Sequence, residues 1–297
     1  MKELSVLLPV FECSCVTLVQ ALHEQCTAAH ITFEIIVADD GSSTPETIEN
    51  NRQIEQLPHV RYIVRQKNVG RAAIRNFLVS QSQYARLLFC DGDMELQNEH
   101  FIETYLNTEG SIVYGGYVLS SLNPQPSPLN LRYRYEQAHR LNHSAEQRAT
   151  HPYHDFHTSN FLVDRSILID HPFDERFRYY GYEDVLWGKM LREHHIDIVH
   201  IDNPLSFCHY EDNEHFISKT EEGLRTLADF QDELEGFSCL LTTTQRISRL
   251  HLSKPLSLLY HLTGKTIRNR LIHNKMPLFV FNIYRLLYFV HIIQKKK

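Results

Sequence analysis

Two aspartates, Asp91 and Asp93, stand one residue apart directly after the apolar run "LLFC". Side chains alternate along a strand, so residues two apart point to the same side and their carboxylates can converge. Converging carboxylates repel each other unless a cation lies between them, and hard divalent cations prefer oxygen ligands. The spacing therefore indicates a metal site, although Asp-Gly-Asp is also a common turn sequence after a strand.

A second acidic pair, Asp39 and Asp40, follows the apolar run "FEIIVA" and precedes Gly41. These carboxylates could accept hydrogen bonds from a nucleotide base or a ribose. The alternative is a strand-to-helix turn in which Ser43 or Thr44 caps the next helix. The two interpretations are compatible with each other.

The segment "KNVGRAAIRN" combines a glycine with two cations. Gly70 permits close approach of the backbone. Arg71 and Arg75 are four residues apart and share one face of a predicted helix. Arginines at this place suit a phosphate or a carbonyl-rich base, and a solvated basic helix face is the alternative.

The segment "GYEDVLWGKML" predicts a helix that begins near two acids, Glu183 and Asp184. Negative charge in the first turn stabilises a helix, so both residues could serve only that purpose. The functional interpretation is a general base, a carboxylate that removes a proton from an attacking hydroxyl group.

The first 120 residues alternate between strand-like and helix-like segments, which indicates an α/β fold with a mostly parallel sheet. Ligands of such sheets bind beyond the carboxyl ends of the strands, where the polar segments above are found. The alternation ends near residues 120–130, where three prolines indicate a loop or linker.

Five segments in this order resemble family 2 glycosyltransferases of the GT-A fold: "LLPVFE", "VADDGS", "KNVGRAAIRN", "FCDGDM" and "GYED". The resemblance covers roughly residues 3–210. It predicts a Rossmann-like, mostly parallel sheet flanked by helices. On this interpretation residues 1–235 form the catalytic domain, with a nucleotide-binding half to about residue 120 and an acceptor half after it. Residues 236–297 form a basic, amphipathic helical tail.

The resemblance also implies roles for residues of the matching segments. Asp39 or Asp40 hydrogen-bonds the uracil of the donor, Arg75 lies near the base, and Asp91 lies near the ribose and the metal. The complete set expected to bind substrate is Pro9, Asp39, Asp40, Asn68, Arg75, Asp91 and Asn160.

The metal and the chemistry are assigned in the same way. Asp93 ligates a divalent ion, Mn²⁺ or Mg²⁺, together with Asp91, and His209 is the expected additional ligand. Asp184 is the expected base, and Glu183 helps to hold the acceptor.

The predicted activity is therefore an inverting, metal-assisted transfer of a sugar from a nucleoside-diphosphate sugar, with UDP favoured, to a hydroxyl group of a glycan or lipid-linked acceptor. One alternative is a nucleotidyltransferase that makes sugar nucleotides. Such enzymes share a Gly-rich N-terminal loop with Arg and Lys, and the corresponding segment here, "LLPVFECSC", has no such loop. The other is an inactive sugar-nucleotide-binding module, which the acids at 91, 93 and 184 disfavour.

The charge of the chain is unevenly distributed. The net charge is −6, yet residues 236–297 hold 11 Lys and Arg and no Asp or Glu, while residues 1–235 hold 19 basic and 36 acidic residues. An apolar run at 277–293 is short for a membrane span and contains Arg285. We expect an in-plane helix at an anionic membrane rather than a nucleic-acid site, and a packed helical subdomain is the alternative.

The cellular location follows from two further expectations. The N-terminus shows no signal peptide, because the first apolar run, "LSVLLPV", reads as a strand and contains a proline. The six cysteines lack metal-site spacing and are expected to be reduced thiols. The sequence thus predicts a cytoplasmic protein at the inner face of a membrane.

Overall fold

The computed structural model describes residues 2–119, 127–139, 144–207 and 210–296. By its internal contacts the chain divides into two compact units. The first comprises Met1–Leu122, Arg140–Arg178 and Glu183–His209, and the second comprises Asn123–His139, Tyr179–Tyr182 and Tyr210–Lys297. The sequence-based boundary at residue 235 therefore falls inside the second unit.

The first unit is built on two sheets. Within the described residues the strands are β1 (Glu3–Val10), β2 (Thr32–Asp39), β3 (Val60–Val64), β4 (Arg86–Cys90), β5 (Met94–Glu95), β6 (Ile112–Tyr114), β7 (Tyr117–Leu119), β8 (Asn160–Asp164), β9 (Val199–His200) and β10 (Leu205–Phe207). The larger sheet has the order β3-β2-β1-β4-β8-β6-β9, and the smaller one has the order β5-β10-β7. In the larger sheet β8 runs antiparallel to its neighbours β4 and β6, and the other pairs are parallel. The predicted α/β class with a mostly parallel sheet is confirmed.

Helices connect the strands and continue to the C-terminal end. They are α1 (Val16–Ala28), α2 (Pro45–Arg52), a 3-10 helix (Gln53–Gln56), α3 (Arg71–Gln81), α4 (Phe101–Asn107), α5 (Leu131–His139), α6 (Ala145–Ala149), α7 (Arg165–Asp170), α8 (Glu183–Glu193), α9 (Asn213–Asp229), α10 (Cys239–Arg249), α11 (Ser253–Ile272) and α12 (Leu278–Lys296). Helix α2 begins with a proline at its first position, where the missing N–H has no intrahelical partner to lose.

The core of the first unit explains why the strand ends are in fixed positions. Strands β1, β2 and β4 are apolar and buried over most of their length, as expected for strands covered on both faces. Phe89 of β4 stacks on Phe161 of β8 with ring centroids 4.9 Å apart. Strand β1 lies between β2 and β4, with Pro9 opposite Ala38 and Leu7 opposite Phe89. The carboxyl ends of these strands are thereby held at one edge of the sheet.

The second unit contains the whole acid-free tail. An apolar cluster joins α5, α9, α11 and α12: it consists of Leu131, Ile217, Leu271, Phe281 and Tyr284. The basic residues Arg268 and Lys296 pair with Glu221 and Asp229 of α9. These contacts correspond to the alternative interpretation of the tail, in which it forms a packed helical subdomain. In the part of the chain that the structure describes, no helix has the length and apolar character needed to cross a membrane.

Candidate active site

The carboxylates at the end of β2 are buried and hydrogen-bonded within the protein. Asp39 is fully buried; it accepts hydrogen bonds from the Tyr62 hydroxyl at 2.6 Å and from the Ser42 N–H at 2.7 Å. Asp40 accepts from the N–H groups of Val69 and Gly70, both at 3.0 Å. Burial raises the pKa of Asp40, and these two backbone hydrogen bonds oppose the rise.

Two glycines allow the loops around these carboxylates to approach each other closely. Gly41 has a φ of +78°, and an added Cβ would lie 2.5 Å from the carbonyl carbon of Lys67. Gly70 has a φ of +91°, and its Cβ would lie 2.7 Å from the carbonyl oxygen of Arg178. Both the backbone conformation and the space therefore require glycine. The approach at Gly41 brings the segment before α3 against the end of β2, and the approach at Gly70 brings the start of α3 against Arg178.

Arg75 of α3 connects the end of β4 with the start of α8. Its guanidinium is 1% exposed; one Nη donates to Asp91 Oδ1 at 2.6 Å, and the other lies 3.7 Å from Glu183 Oε1. Burial raises the pKa of Asp91, and the positive charge of Arg75 opposes this effect. Burial also raises the pKa of Glu183, and the neighbouring Asp184 adds to it. One buried cation thus holds two carboxylates from distant parts of the sequence.

Asp91 and Asp93 lie close enough to repel each other electrostatically. The charge of Asp93 contributes to the raised pKa of Asp91. Burial raises the pKa of Cys13 to about 12, and the charges of Asp93, Asp91 and Asp39 add to that rise. Within the described residues, no group of three or more His, Cys, Asp or Glu side chains is arranged to hold a metal ion. Asp91 and Asp93 nevertheless offer carboxylate oxygens, which are the ligands that a hard divalent cation prefers. Oxygens of a bound substrate would complete the coordination of such an ion.

Helix α8 presents a second carboxylate with a different partner. Asp184 accepts a hydrogen bond from the backbone N–H of Val185 at 2.8 Å, and its Oδ2 lies 3.0 Å from Nδ1 of His157. Burial alone would raise the pKa of Asp184, but the hydrogen bond and charge of His157, together with the Val185 N–H and the charge of Arg71, outweigh burial and lower that pKa. The lowered pKa keeps Asp184 ionised, which is the state that a general base must have before it accepts a proton.

The remaining predicted residues lie in different surroundings. Pro9 precedes the end of β1, and its carbonyl oxygen accepts from the Gly92 N–H at 3.3 Å. Asn68 is exposed, and its side chain accepts from the Gly70 N–H at 3.1 Å. Asn160 is fully buried; it donates to the carbonyl oxygens of Gly116 and Asn203 and accepts from the Tyr105 hydroxyl. His209 lies outside the described residues, so its expected role as a metal ligand stays a prediction.

The structure thus brings together most of the predicted residues, in two groups that share α3. Asp40, next to Asp39, accepts hydrogen bonds from the segment before α3, and Asp91 and Glu183 contact Arg75 within α3. Asn160 uses its side chain to connect β8 with neighbouring loops, and substrate binding by this residue stays a prediction.

Sequence reasoning did not assign a role to His157. Its imidazole is 44% exposed and also contacts the ring of Tyr117, with centroids 5.9 Å apart. In the sequence it is one of several histidines in "HPYHDFHTSN", and it lies 27 positions before Asp184. The sequence signal that could have pointed to His157 is this cluster of polar residues directly before the buried strand β8.

Comparison with protein families gives one direct match. The model described as "Glycosyl transferase family 2" matches residues 5–171, which is more than half of the chain. This range includes the ends of β2 and β4 and the helix that carries Arg75. None of the curated proteins matches the chain.

Comparison with solved structures extends to nearly the whole chain. A mannosyltransferase from Pyrobaculum calidifontis in complex with GDP-Man and Mn²⁺ has a TM-score of 0.59 at 12% identity, over 99% of this chain and 87% of that one. S. aureus TarS 1-349 in complex with UDP-GlcNAc has a TM-score of 0.52 at 15% identity, over 99% of this chain and 92% of that one. These similarities confirm the predicted GT-A type of fold.

Proposed function

The chain belongs to glycosyl transferase family 2 and is a glycosyltransferase, and we propose that it moves a sugar from a nucleoside-diphosphate sugar to a hydroxyl group with inversion. The observation that carries the proposal is the position of Arg75. This buried cation holds Asp91, on the donor side of the predicted site, and Glu183, next to the predicted base, at 2.6 and 3.7 Å. Family membership also disfavours the nucleotidyltransferase alternative.

The donor is proposed to bind at the ends of β1, β2 and β4, with UDP as its nucleotide. The base and ribose would lie near Pro9, Asp39, Asp40 and Asn68, where the sheet edge carries hydrogen-bonding groups. Structures of similar fold hold UDP-GlcNAc in one case and GDP-Man in the other, so the fold accommodates both bases. The identities of the donor sugar and of its nucleotide base are therefore the first properties to determine.

A divalent ion is proposed to be held by Asp93 and Asp91, with His209 as a further ligand. Mn²⁺ or Mg²⁺ bound there would stabilise negative charge on the leaving diphosphate. The like charges of the two aspartates and the Mn²⁺ in the mannosyltransferase complex support this assignment. Arg75 remains beside Asp91 and fixes the orientation of one of its oxygens.

Asp184 is proposed to be the base that removes the proton from the acceptor hydroxyl. Its lowered pKa keeps it ionised, which a base requires, and at the same time makes it a weaker base than an unpaired aspartate. We infer that His157 is a positioning residue, because it contacts Oδ2 of Asp184 rather than the reacting atoms. Glu183 would help to hold the acceptor. Attack from the side opposite the diphosphate inverts the anomeric centre without a covalent enzyme intermediate.

The acceptor is proposed to be a glycan or a lipid-linked glycan at the inner face of a membrane. The support is the concentration of 11 Lys and Arg without an acid in residues 236–297. Basic residues near an anionic leaflet each contribute about 1 kcal/mol of attraction.

The test of the activity is a hydrolysis screen of purified protein against UDP- and GDP-sugars with Mn²⁺, Mg²⁺ or chelator. Many glycosyltransferases slowly hydrolyse their own donor, so no acceptor is required. We expect one donor to be hydrolysed and the chelator to abolish the reaction. No hydrolysis of any sugar nucleotide would contradict the proposal.

Asp93→Asn sharpens the metal assignment. Removing a charged ligand should weaken Mn²⁺ activation about tenfold or more, since loss of even an outer-shell partner costs that much. Asp170→Asn, at the exposed end of α7, makes the same chemical change away from the site and should behave as wild type. Unchanged Mn²⁺ dependence in Asp93→Asn would remove this residue from the metal site.

A further inference from the structure

Helix α11 exposes three leucines on one side. Leu258, Leu259 and Leu262 are 58%, 44% and 71% exposed, although α11 buries Leu271 in the apolar cluster of the second unit. Exposed apolar side chains that occur singly need no explanation, but neighbouring ones on one helix face indicate an interaction surface. Helical spacing puts Leu258 and Leu262 one turn apart.

Basic residues flank these leucines along the same helix. Lys254 lies one turn before Leu258, Lys265 lies one turn after Leu262, and Arg270 follows; all three are exposed. At about 100° per residue, the three leucines and three basic residues fall within one half of the helix circumference. We call this set, Lys254, Leu258, Leu259, Leu262, Lys265 and Arg270, the α11 face.

The cations of the α11 face differ from two other cations of the tail in having no carboxylate partner in the part of the chain that the structure describes. Arg268 and Lys296 are paired with carboxylates of α9. Within the described residues no carboxylate pairs with Lys254, Lys265 or Arg270. Lys265 and Arg270 instead line an open depression of about 720 Å³, together with Thr266, Asn269 and Lys275. Such a depression presents several N–H donors to an anion.

The apolar run of α12, which the sequence analysis expects at the membrane, is mostly occupied elsewhere. Phe281, Tyr284, Phe289 and Val290 are at most 1% exposed. These side chains cannot enter a lipid layer without leaving the core of the second unit. The leucines of α11 require no such rearrangement.

We propose that the α11 face docks on an anionic lipid bilayer, with α11 in the plane of the surface. The leucines enter the boundary between headgroups and acyl chains, and the basic residues contact lipid phosphates. The depression beside Arg270 receives a lipid headgroup. This inference rests on the proposed function in so far as that function places the enzyme at a membrane.

Charge decides between a bilayer and a second copy of the chain as the occupant. A symmetric dimer through this face would bring the same patch of each copy together. The basic residues Lys254, Lys265 and Arg270 of one copy would then lie against the basic residues of the other, and like charges repel. An anionic bilayer complements both the leucines and the cations.

The experiment measures co-sedimentation of the full chain with vesicles of phosphatidylcholine and phosphatidylglycerol, at low and high salt. Leu258→Ser with Leu262→Ser should lower binding about tenfold or more and remove the part that resists salt. Lys265→Glu with Arg270→Glu should also lower binding at least tenfold, and this loss should shrink at high salt. Donor hydrolysis should be unchanged in both double variants, which shows that they fold.

Matched controls separate this face from a general effect of charge or polarity. Arg52→Glu with Arg176→Glu makes the same charge change on exposed side chains of the first unit. Ile169→Ser removes another apolar side chain, which is 55% exposed, from the first unit. Both controls should bind vesicles as the wild type does.

Three results would overturn the inference. If the wild type binds and the α11 double variants bind equally well, another surface carries the membrane contact and the proposed function is unaffected. If the wild type never sediments with anionic vesicles, both this inference and the proposed membrane location fail, while donor hydrolysis still tests the activity. If Leu258→Ser with Leu262→Ser instead dissociates an oligomer in solution, the face binds a second copy.

Discussion

The carboxylates at the end of β2 are buried and those at the start of α8 are buried or partly buried, but different kinds of group stabilise the two sets. Asp39 and Asp40 accept hydrogen bonds from backbone N–H groups and from a tyrosine, none of which changes charge near neutral pH. Glu183 and Asp184 lie beside an arginine and a histidine. The first group therefore forms a fixed framework, and the second responds to protonation and to loss of a single charge.

The largest expected effect comes from removing the cation that the second group shares. Arg75→Met leaves Asp91 and Glu183 without their buried partner. Breaking a buried ion pair from one side costs about 3–5 kcal/mol, so the free energy of unfolding in urea should fall by that amount. Arg52→Met removes an exposed ion pair of α2 and should cost less than about 1 kcal/mol. Equal losses in the two variants would show that Arg75 is no more than a surface cation.

The next effect concerns catalysis alone. Asp184→Asn keeps the shape of the side chain and removes the proton acceptor, so sugar transfer should fall about 10²-fold or more. Donor binding, measured by calorimetry, should change little. Near-normal transfer with weakened donor affinity would move Asp184 from catalysis to stabilisation of the start of α8.

A smaller effect is expected from the fixed framework at β2. Tyr62→Phe removes the hydroxyl that donates to the buried carboxylate of Asp39 and leaves an acceptor without its partner. The free energy of unfolding should fall by about 1–3 kcal/mol. Tyr179→Phe, on a side chain that is 69% exposed, is the control. The pH dependence of transfer should be that of the wild type, and a shifted profile would contradict the distinction between the two groups.

The smallest effect at optimal pH, and the sharpest test of the distinction, comes from His157. Its contact lowers the pKa of Asp184, so in His157→Ala that pKa rises. Because the base must be ionised, the acidic limb of the pH–rate profile should move to higher pH, while transfer at alkaline pH stays near the wild-type rate. His151→Ala changes an exposed histidine nearby and should leave the profile in place. An unshifted limb would show that His157 does not control Asp184.

The order of elements and the positions of the strand ends could be predicted from sequence because both depend on local patterns. Apolar runs end at Asp39 and Cys90, Pro45 begins a helix, and Gly70 precedes another, as the segments indicate. Partners across the fold could not be predicted this way. The contact of His157 with Asp184 and that of Arg75 with Glu183 join residues 27 and 108 positions apart, and only the packing of the sheet and helices determines them.

In the acid-free tail, too, the sequence predicts the composition but not the partners of individual charges. Composition indicates an excess of cations in residues 236–297, but it does not show which of them face carboxylates of α9. The apolar run of α12 likewise does not show which of its side chains are buried. Phe279 is 63% exposed, whereas Phe281, two positions later, is 1% exposed.

The apolar cluster of the second unit has a consequence for how the protein is made. Leu131 of α5 is covered by Phe281 and Tyr284, and Arg285 reaches the Tyr135 hydroxyl 150 residues earlier. During synthesis from the N-terminus, α5 and α9 leave the ribosome long before the helix that covers them. Their apolar side chains stay exposed until α12 is translated. We therefore expect nascent chains that stop near residue 235 to recruit chaperones or aggregate, and chains that include α12 to escape both.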